Sequence, residues 1–360
     1  MKTFLKENFK VIICACALLG LVAILIAYSP EAPHNGQTSG DSETLKPGTG
    51  VANYTLFDTV SYIYTYAGDK KAAFDENCEE VWSLLAEYHQ LFDIYHEYSG
   101  VNNLRTLNKN AGGEPIQVSP KLVDFLLYAK ELYTLTNGEM NVMMGAVLGL
   151  WHDARENGGY IPSDTNLAEA SQHVSFDALE IDTENNTVRI TDKDARIDVG
   201  ALGKGYATEL AAKHLESKGV KSYVLNIGGN IRIIGTRPDG SGWKTGVKNP
   251  KDPNTYSQII TIADTSCVTS GDYERYFTVE GKKYHHIIDK DTLMPADYFS
   301  SVTIIANDSG LADCLSTALF CMSYEEGLAL VEKIGGVEVL WIYSDGTMKT
   351  TQGFDALIVK

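Results

Sequence analysis

Apolar and polar side chains follow each other along the chain with two different spacings, each typical of one kind of secondary structure. Residues 75–92 and 120–137 place apolar side chains three and four positions apart, which predicts two amphipathic helices. Residues 53–67 are rich in Tyr, Thr, Val and Ile and predict a pair of strands, and residues 178–198 predict a hairpin that turns at 184–186. The first half of the chain therefore contains both helices and strands.

The second half continues in the same way. The predicted helices are 204–217, 310–322 and 324–334, and the predicted strands are 222–225, 231–235, 258–264, 274–279, 284–288, 301–306, 338–343 and 356–359. Strands and helices are interspersed along the whole length. This order predicts an α+β fold class with mixed strands and helices.

The first 29 residues have the pattern of a signal anchor or a signal peptide. Residues 11–28 carry no charge and follow three lysines, so this stretch of 18 residues is marginally long enough to cross a bilayer. We favour an uncleaved anchor, with cleavage at Ala27-Tyr28-Ser29 and lipidation of Cys16 as the alternatives. The lysines predict a cytoplasmic N-terminus and an extracytoplasmic body, at the cell membrane.

Residues 30–50 are predicted to form a flexible tether. This segment contains three prolines, four glycines and five serines or threonines, a composition that buries too little apolar surface to fold. Residues 51–360 are then left as one folded domain.

Composition and charge narrow the classes of function. Apolar residues make up 44% of the chain and charged residues 21%, which is ordinary for a globular protein. The formal net charge of -17 argues against binding to nucleic acid. Any bound phosphate must therefore be held by a local device, such as a metal ion, a helix N-terminus or a lysine.

Four cysteines lie in the body of the chain. None of them has the spacing of a CxxC pair or of a zinc site, so free and mostly buried thiols are expected. These cysteines are Cys78, Cys267, Cys314 and Cys321.

The segment Asp198-Val-Gly-Ala-Leu-Gly-Lys-Gly-Tyr-Ala207 combines a strand end, a glycine-rich turn and a helix start. Its glycines allow the backbone to approach a ligand, and the helix N-terminus favours an anion. The segment is not a Walker A sequence, because Gly205 stands where Ser or Thr follows the lysine. The alternative is a tight turn with an exposed lysine.

Two further segments carry polar residues on or beside strands. Asn226-Ile-Gly-Gly-Asn230 permits close approach by a backbone or a flat ligand, or is a plain bulge. Thr269-Ser-Gly-Asp-Tyr-Glu-Arg275 leads into Tyr284-His-His-Ile-Ile-Asp289, where His285 and His286 face opposite sides of a strand. One of these histidines is suited to act as a general base, and a structural histidine is the alternative.

The fourth segment is Ala312-Asp-Cys-Leu-Ser-Thr-Ala318. Asp313 and Thr317 are four positions apart, so a helix places their carboxylate and hydroxyl on one face. Two hard oxygen ligands suit a Mg²⁺ ion that keeps waters and substrate phosphates as its other ligands. The alternative is a carboxylate that interacts with the dipole at a helix N-terminus.

Together, the four segments occur in the order found in the ApbE family of flavin transferases, and the chain resembles that family from about Phe57 to Tyr343. The resemblance implies an ApbE-like, T-fold-related domain that binds FAD and Mg²⁺ outside the cytoplasm. It also implies transfer of FMN onto a threonine hydroxyl of an exported or membrane-bound acceptor flavoprotein, with release of AMP. Hydrolysis of FAD to FMN and AMP, and a membrane-anchored flavin-binding protein without catalysis, are the alternatives.

The resemblance also assigns residues to these functions. The catalytic residues would be His286 and Asp313, and the Mg²⁺ ligands would be the Ala201 carbonyl, Asp313 and Thr317. The positions in contact with FAD would be Tyr95, Glu139, Met140, Asn141, Asp198, Lys204, Gly228, Gly229, Ser270, His286 and Ile288.

The chain departs from the family pattern in two places. After Asp289 the family usually continues Pro-x-Thr-Gly-x-Pro, whereas this chain has Lys290 in place of the proline and Leu293 in place of the glycine. Met140-Asn141 stands where the family commonly has Phe-Asp, which removes a carboxylate. No proposed metal or lysine position is lost.

Overall fold

The computed structural model describes residues 43–360, and eight antiparallel strands form its central sheet. In spatial order these strands are β1 (Thr49–Asn53), β2 (Ser61–Thr65), β6 (Tyr223–Ile227), β7 (Asn230–Ile234), β10 (Ser266–Gly271), β13 (Ser301–Ala306), β14 (Glu338–Ile342) and β15 (Met348–Thr350). Ser61 of β2 pairs with Ile227 of β6, so the sheet joins segments that are far apart in the sequence.

Smaller sheets and nine α-helices complete the described part of the chain. The remaining strands are β3 (Ile116–Gln117), β4 (Leu179–Asp182) and β5 (Thr187–Ile190) in one sheet, β8 (Trp243–Asn249) with β9 (Asp252–Ile262), and β11 (Tyr276–Val279) with β12 (Lys282–His285). The helices are α1 (Lys71–Phe92), α2 (Leu104–Lys109), α3 (Pro120–Leu135), α4 (Gly145–Glu156), α5 (Asp164–Ala170), α6 (Gly203–Ser217), α7 (Ser309–Ala318), α8 (Tyr324–Ile334) and α9 (Gln352–Leu357).

Both faces of the central sheet are covered. On one face, Leu225 of β6 packs into a core that includes residues of α1, α3 and α6. On the other face, Val224 of β6 packs with Trp243 of β8 and Phe354 of α9. Because successive side chains of a strand point to opposite faces, β6 is apolar on both sides and is buried along its whole length.

Two further apolar clusters hold the elements around the sheet. One joins β13 and β14 to α7 and α8 through Val302, Leu315 and Trp341. The other joins α4 to the β11–β12 hairpin, where the rings of Trp151 and Tyr284 stack with their centroids 6.0 Å apart. The second cluster fixes α4 beside the hairpin that carries the paired histidines.

Of the predicted N-terminal segments, only the end of the tether lies within the described residues. The predicted anchor and most of the predicted tether lie outside the described residues. Within residues 43–360, no helix combines the length and the apolar composition needed to span a bilayer. The tether prediction is wrong at its end, because Thr44 already bridges to Lys70 and β1 begins at Thr49.

The predicted strand at 356–359 is also wrong. The segment forms the helix α9 up to Leu357, and this helix buries Phe354 completely against the sheet. Only the end of the predicted strand contacts a strand, where the Val359 N–H donates to the Ile259 carbonyl at 2.8 Å. The segment forms a helix because a helix places Phe354 and Leu357 on one face, toward the core.

The prediction for the cysteines is confirmed. Cys78, Cys267, Cys314 and Cys321 are all free and buried. Burial raises the pKa of the Cys78 and Cys267 thiols to about 12. These thiols are therefore protonated and inert in the folded chain.

Candidate functional site

One cleft, of about 450 Å³, brings the four sequence segments together. All fourteen residues predicted for the site line it: Tyr95, Glu139, Met140, Asn141, Asp198, Ala201, Lys204, Gly228, Gly229, Ser270, His286, Ile288, Asp313 and Thr317. Loops, strand ends and helix starts from both halves of the chain contribute to its walls.

The glycine-rich segment forms a turn that leads into α6. The Asp198 N–H donates to the Val142 carbonyl at 2.8 Å, and the Asp198 carboxylate accepts the Gly200 N–H at 2.8 Å. Burial raises the pKa of Asp198. The Lys204 ammonium, in the first turn of α6, lies 3.4 Å from the Gly200 carbonyl oxygen. The sequence thus makes a tight turn, and this turn presents a lysine to the cleft.

Gly205 lies at a close contact between α6 and α7. A Cβ atom at this position would lie 2.4 Å from the Asp313 Cβ and 2.4 Å from the Ser309 carbonyl oxygen. The Gly205 N–H donates to Asp313 Oδ2 at 2.8 Å. A serine or threonine, as in a Walker A sequence, does not fit here, because only glycine lets the two helices approach this closely.

The position of Asp313 excludes the alternative that its carboxylate interacts with the dipole at a helix N-terminus. The N-cap of α7 is Asp308, whose carboxylate accepts the Leu311 N–H at 2.9 Å, and the first turn of α7 contains no acidic residue. Asp313 lies one turn further along, 5% exposed, at the wall of the cleft. Its carboxylate therefore does not serve to offset the helix dipole.

The donor set around Asp313 fits a hard cation. One carboxylate oxygen of Asp313 bonds to the Gly205 N–H, and Thr317 and Ala201 line the same cleft with a hydroxyl and a carbonyl. Carboxylate, hydroxyl and carbonyl oxygens are the ligands that Mg²⁺ takes in proteins. Ser270 lies within 3.4 Å of the Thr317 hydroxyl and so helps to fix its position.

Asn230 supplies a second observation at the same wall. Its Oδ1 atom is buried and has no hydrogen-bond partner among residues 43–360. Asn230 lies beside Ile231, which pairs with Cys267, so its neighbour across the ladder is Val268. Val268 packs toward α7. A buried acceptor without a partner suits a donor from outside the chain, such as a water bound to a metal ion.

The Gly228-Gly229 pair is a hairpin turn, not the bulge considered from the sequence. Ile227 pairs with Asn230, and both glycines have positive φ, at 58° and 94°. Two residues of this conformation between paired strands make the turn that suits a twisted hairpin. A Cβ atom on Gly228 would lie 2.5 Å from the Thr59 side chain, so this glycine also permits a close approach.

The two histidines have different surroundings, as their opposite directions predict. His285 is buried, and its Nε2 lies 2.8 Å from the Ala296 carbonyl oxygen, while its Nδ1 accepts the Ile287 N–H. His286 lines the cleft, and its ring has no hydrogen-bond partner among the described residues. His285 is therefore structural and His286 is available for chemistry.

The pKa of His286 is lowered to about 3. The largest cause is the low-dielectric surroundings of the cleft wall, followed by the positive charge of Arg275, then by His285 and Lys204. Solvent also reaches the ring through the open cleft. The imidazole is neutral near pH 7 and can accept a proton.

The family model for the ApbE family matches residues 57–341, most of the chain. The chain belongs to the ApbE family. This finding confirms the resemblance inferred from the four motifs and makes the chain an enzyme of the transferase class.

Curated ApbE relatives cover most of the chain. A protein from Vibrio cholerae named FAD:protein FMN transferase is 31% identical over 280 residues, which make up 76% of this chain and 80% of that protein. A protein of the same name from Treponema pallidum is 28% identical over 313 residues, which make up 83% of this chain and 85% of that protein.

Solved ApbE structures share the fold. The ApbE protein of Thermotoga maritima matches with a TM-score of 0.76 at 27% identity, covering 87% of this chain and 100% of that one. The flavin transferase ApbE of Vibrio cholerae matches with a TM-score of 0.71 at 26% identity, covering 86% and 100% of the two chains. The predicted α+β fold is thereby confirmed.

The first departure from the ApbE pattern leaves its loop closed. Asp289 accepts the N–H groups of Asp291 and Thr292 at 2.8 and 2.7 Å, and Ile288 bridges to Pro295. Leu293 has a φ of 59°, a conformation that suits the glycine usual at this position of the family. The backbone at this position of the loop therefore has a conformation that favours glycine, although the residue is Leu293.

The second departure is absorbed by new contacts. Asn141 donates from Nδ2 to the Val174 carbonyl and accepts the Met143 N–H, both at 2.9 Å. An aspartate could make only the second of these bonds.

Lys290, which stands in place of the proline usual in the family, lies 3.2 Å from the Glu139 carboxylate. This ion pair connects the loop after Asp289 to the segment that contains Asn141. Burial raises the pKa of Glu139, and Lys290 opposes this shift.

Sequence reasoning missed one wall of the ApbE cleft. Leu148, Trp151, His152 and Arg155 line it from a single face of α4. The Nδ1 atom of His152 lies 3.3 Å from the Tyr95 hydroxyl and 3.0 Å from an Arg155 nitrogen. The spacing of these four positions was the available signal, but it is equally typical of a helix that faces a core.

Proposed function

We propose that this ApbE protein transfers FMN from FAD to a threonine hydroxyl of an acceptor flavoprotein and releases AMP, in a reaction that depends on Mg²⁺. The observation that carries this proposal is the convergence of all fourteen predicted residues on one cleft. The names of the curated relatives, FAD:protein FMN transferase, support it.

The charges of the cleft suit a diphosphate in an otherwise acidic protein. The chain carries a formal net charge of -17, which repels FAD unless positive charge is concentrated locally. Lys204 supplies one such charge beside the start of α6. Asp313, Thr317 and the Ala201 carbonyl would hold Mg²⁺, which when bound neutralises the diphosphate and stabilises AMP as a leaving group.

His286 is the group suited to take the proton. The acceptor hydroxyl oxygen bonds to the phosphorus on the riboflavin side, the bond from this phosphorus to the bridging oxygen breaks, and AMP leaves with the electron pair. The hydroxyl proton passes to the neutral imidazole of His286. The positive charges beside this ring oppose its protonation until the anionic substrate offsets them.

Hydrolysis of FAD uses the same groups, with water in place of the threonine hydroxyl. The ring of His286 is exposed to solvent at the cleft wall, so water has access to the reacting position. We therefore propose FMN and AMP formation as the side reaction when no acceptor fills the cleft mouth.

The test is incubation of the purified full chain with FAD and Mg²⁺, with and without candidate exported flavoproteins. We expect AMP in both cases, and flavin fluorescence on the acceptor band of a denaturing gel only when an acceptor threonine is present. AMP without labelling of any acceptor would leave hydrolysis as the function. Absence of AMP in every mixture would leave flavin binding without catalysis.

We also propose that the catalytic domain lies outside the cytoplasm and modifies membrane-bound or exported partners. The uncharged residues 11–28 behind three lysines support this orientation. Protease added to intact protoplasts should digest the domain. Its protection, under conditions that degrade a known external protein, would contradict the orientation.

A further inference from the structure

Four cationic side chains line the cleft, and two of them lack an acidic partner. Arg155 and Lys248 pair with the carboxylates of Glu156 and Glu274, at 3.1 and 3.2 Å. Within residues 43–360, neither Lys204 nor Arg275 has a carboxylate within ion-pair distance. An unpaired cation in a cleft is available for an anionic ligand.

The backbone places Arg275 directly beside His286. Tyr276 pairs with His285 across the β11–β12 hairpin, and the His286 N–H donates to the Arg275 carbonyl at 3.1 Å. Residues opposite each other in an antiparallel pair have side chains on the same face. The Arg275 side chain therefore lies on the cleft side, where His286 also points, and it is exposed.

Three groups on separate elements sense the charge of Arg275. It lowers the pKa of His286, and it opposes the burial that raises the pKa of Asp198. It also opposes the rise in the pKa of Tyr95, for which burial is the main cause. Arg275 lines the cleft together with these three groups, and Lys204 acts on His286 and Asp198 from the α6 side.

We infer that Arg275 binds the pyrophosphate of FAD from the β11 side of the cleft, together with Lys204 from the α6 side. The inference rests on the proposed function and adds a residue to which the sequence motifs assigned no contact. The planar guanidinium can donate two parallel hydrogen bonds to phosphate oxygens, whereas the lysine provides a single point charge. Two unlike cations on two different elements would hold the diphosphate in one orientation toward His286.

The experiment is isothermal titration of the purified full chain with three probes. FAD is titrated in EDTA so that it is not turned over, ADP is titrated with Mg²⁺, and riboflavin serves as the probe without phosphate. For Arg275→Gln we expect the Kd of FAD and of ADP to rise at least about tenfold, with riboflavin unchanged. Arg275→Lys should give an intermediate loss, because it keeps the charge but not the paired donors.

Arg237→Gln is the matched control, since Arg237 is an exposed arginine that does not line the cleft. It should leave all three affinities unchanged. FAD and ADP affinities of Arg275→Gln within twofold of wild type would overturn the inference, and so would an equal loss of riboflavin binding. Intact FAD binding with lost transfer would assign Arg275 to the acceptor instead.

These outcomes are separable from failure of the proposed function. A wild-type chain that binds FAD and ADP but never releases AMP would contradict the proposed reaction. The difference between the diphosphate probes and riboflavin would still test Arg275 in that case.

Discussion

Asp313 lines the cleft, and one of its carboxylate oxygens accepts a hydrogen bond from the Gly205 N–H. We expect Asp313→Asn to reduce Mg²⁺-dependent AMP release by at least about 100-fold, because the cation loses its charged ligand. The fold should be retained, since the asparagine carbonyl can still accept the Gly205 N–H. AMP can be measured by chromatography, and stability by thermal unfolding.

Asp239→Asn is the control for this change, because Asp239 is exposed and does not line the cleft. It should leave AMP release unchanged. Turnover of Asp313→Asn within tenfold of wild type would contradict the assignment of Asp313 to the metal.

The lowered pKa of His286 predicts how this ring titrates and how it affects stability as the pH changes. With a folded-state pKa of about 3, against 6.5 for an unperturbed histidine, it should stay neutral from pH 8 down to pH 5. Because the unfolded chain binds this proton near pH 6.5 and the folded chain only near pH 3, acidification between these values favours unfolding. Above pH 6.5 the group has no effect on stability.

The measurement is the histidine proton resonance that disappears in His286→Gln, followed by NMR as a function of pH. We expect no titration of this resonance between pH 8 and 5. A midpoint near 6.5 would contradict the environment described for the ring.

At the residue scale, much of the site could be predicted because its chemistry is local. Asp313 and Thr317 share a helix face by their spacing alone, and His285 and His286 must point apart on a strand. The role inferred for Arg275 could not be predicted in this way. It rests on the lack of a carboxylate partner within the described residues, and only the structure reveals this lack.

At the scale of elements, the crossing of α6 and α7 depends on one missing methyl group. We expect Gly205→Ala to lower the free energy of unfolding by about 1–3 kcal/mol, because its Cβ would overlap the Asp313 side chain and the Ser309 carbonyl. AMP release should fall as well, since the helices must separate. Urea denaturation gives the first quantity.

Gly149→Ala provides the contrast. Gly149 lies within α4, and a Cβ there would meet nothing within 4 Å. This change should raise the free energy of unfolding by about 0.5–1 kcal/mol. Equal effects of the two substitutions would show that the helix crossing is not sensitive to Gly205.

The loop after β12 offers a test of backbone strain. Leu293 has a φ of 59°, so Leu293→Gly should be more stable than Leu293→Ala by about 1 kcal/mol. Both variants lose the same packing, and only glycine relieves the strain. At Leu127, in the helix α3, the order of the two variants should be reversed. Thermal unfolding of the four variants distinguishes the two backbones, and alanine more stable at both positions would refute the strained loop.

Elements were predictable where the apolar spacing was long and unambiguous, as in α1 and α3. The C-terminal segment was mistaken for a strand because only a few apolar residues were available to distinguish the two periods. Burial of Phe354 against the central sheet decides the matter in favour of a helix, and this contact is not visible in the local sequence.

At the scale of the whole molecule, the cleft exists only because distant segments meet. β2 pairs with β6 across more than a third of the chain, and β6 leads into the turn that carries Gly228. Local spacing carries no information about such pairing, so the motifs predicted the members of the site but not their arrangement. The family resemblance supplied what the residue pattern could not.

The four buried thiols bear on where such a protein can be produced. No disulfide links Cys78, Cys267, Cys314 and Cys321, and all are shielded in the protonated state. The core of the described domain therefore needs no oxidising folding catalyst, and none of these four cysteines presents an accessible thiol to oxidants. The same native structure is open to the chain in a reducing cytoplasm and in an aerobic exterior.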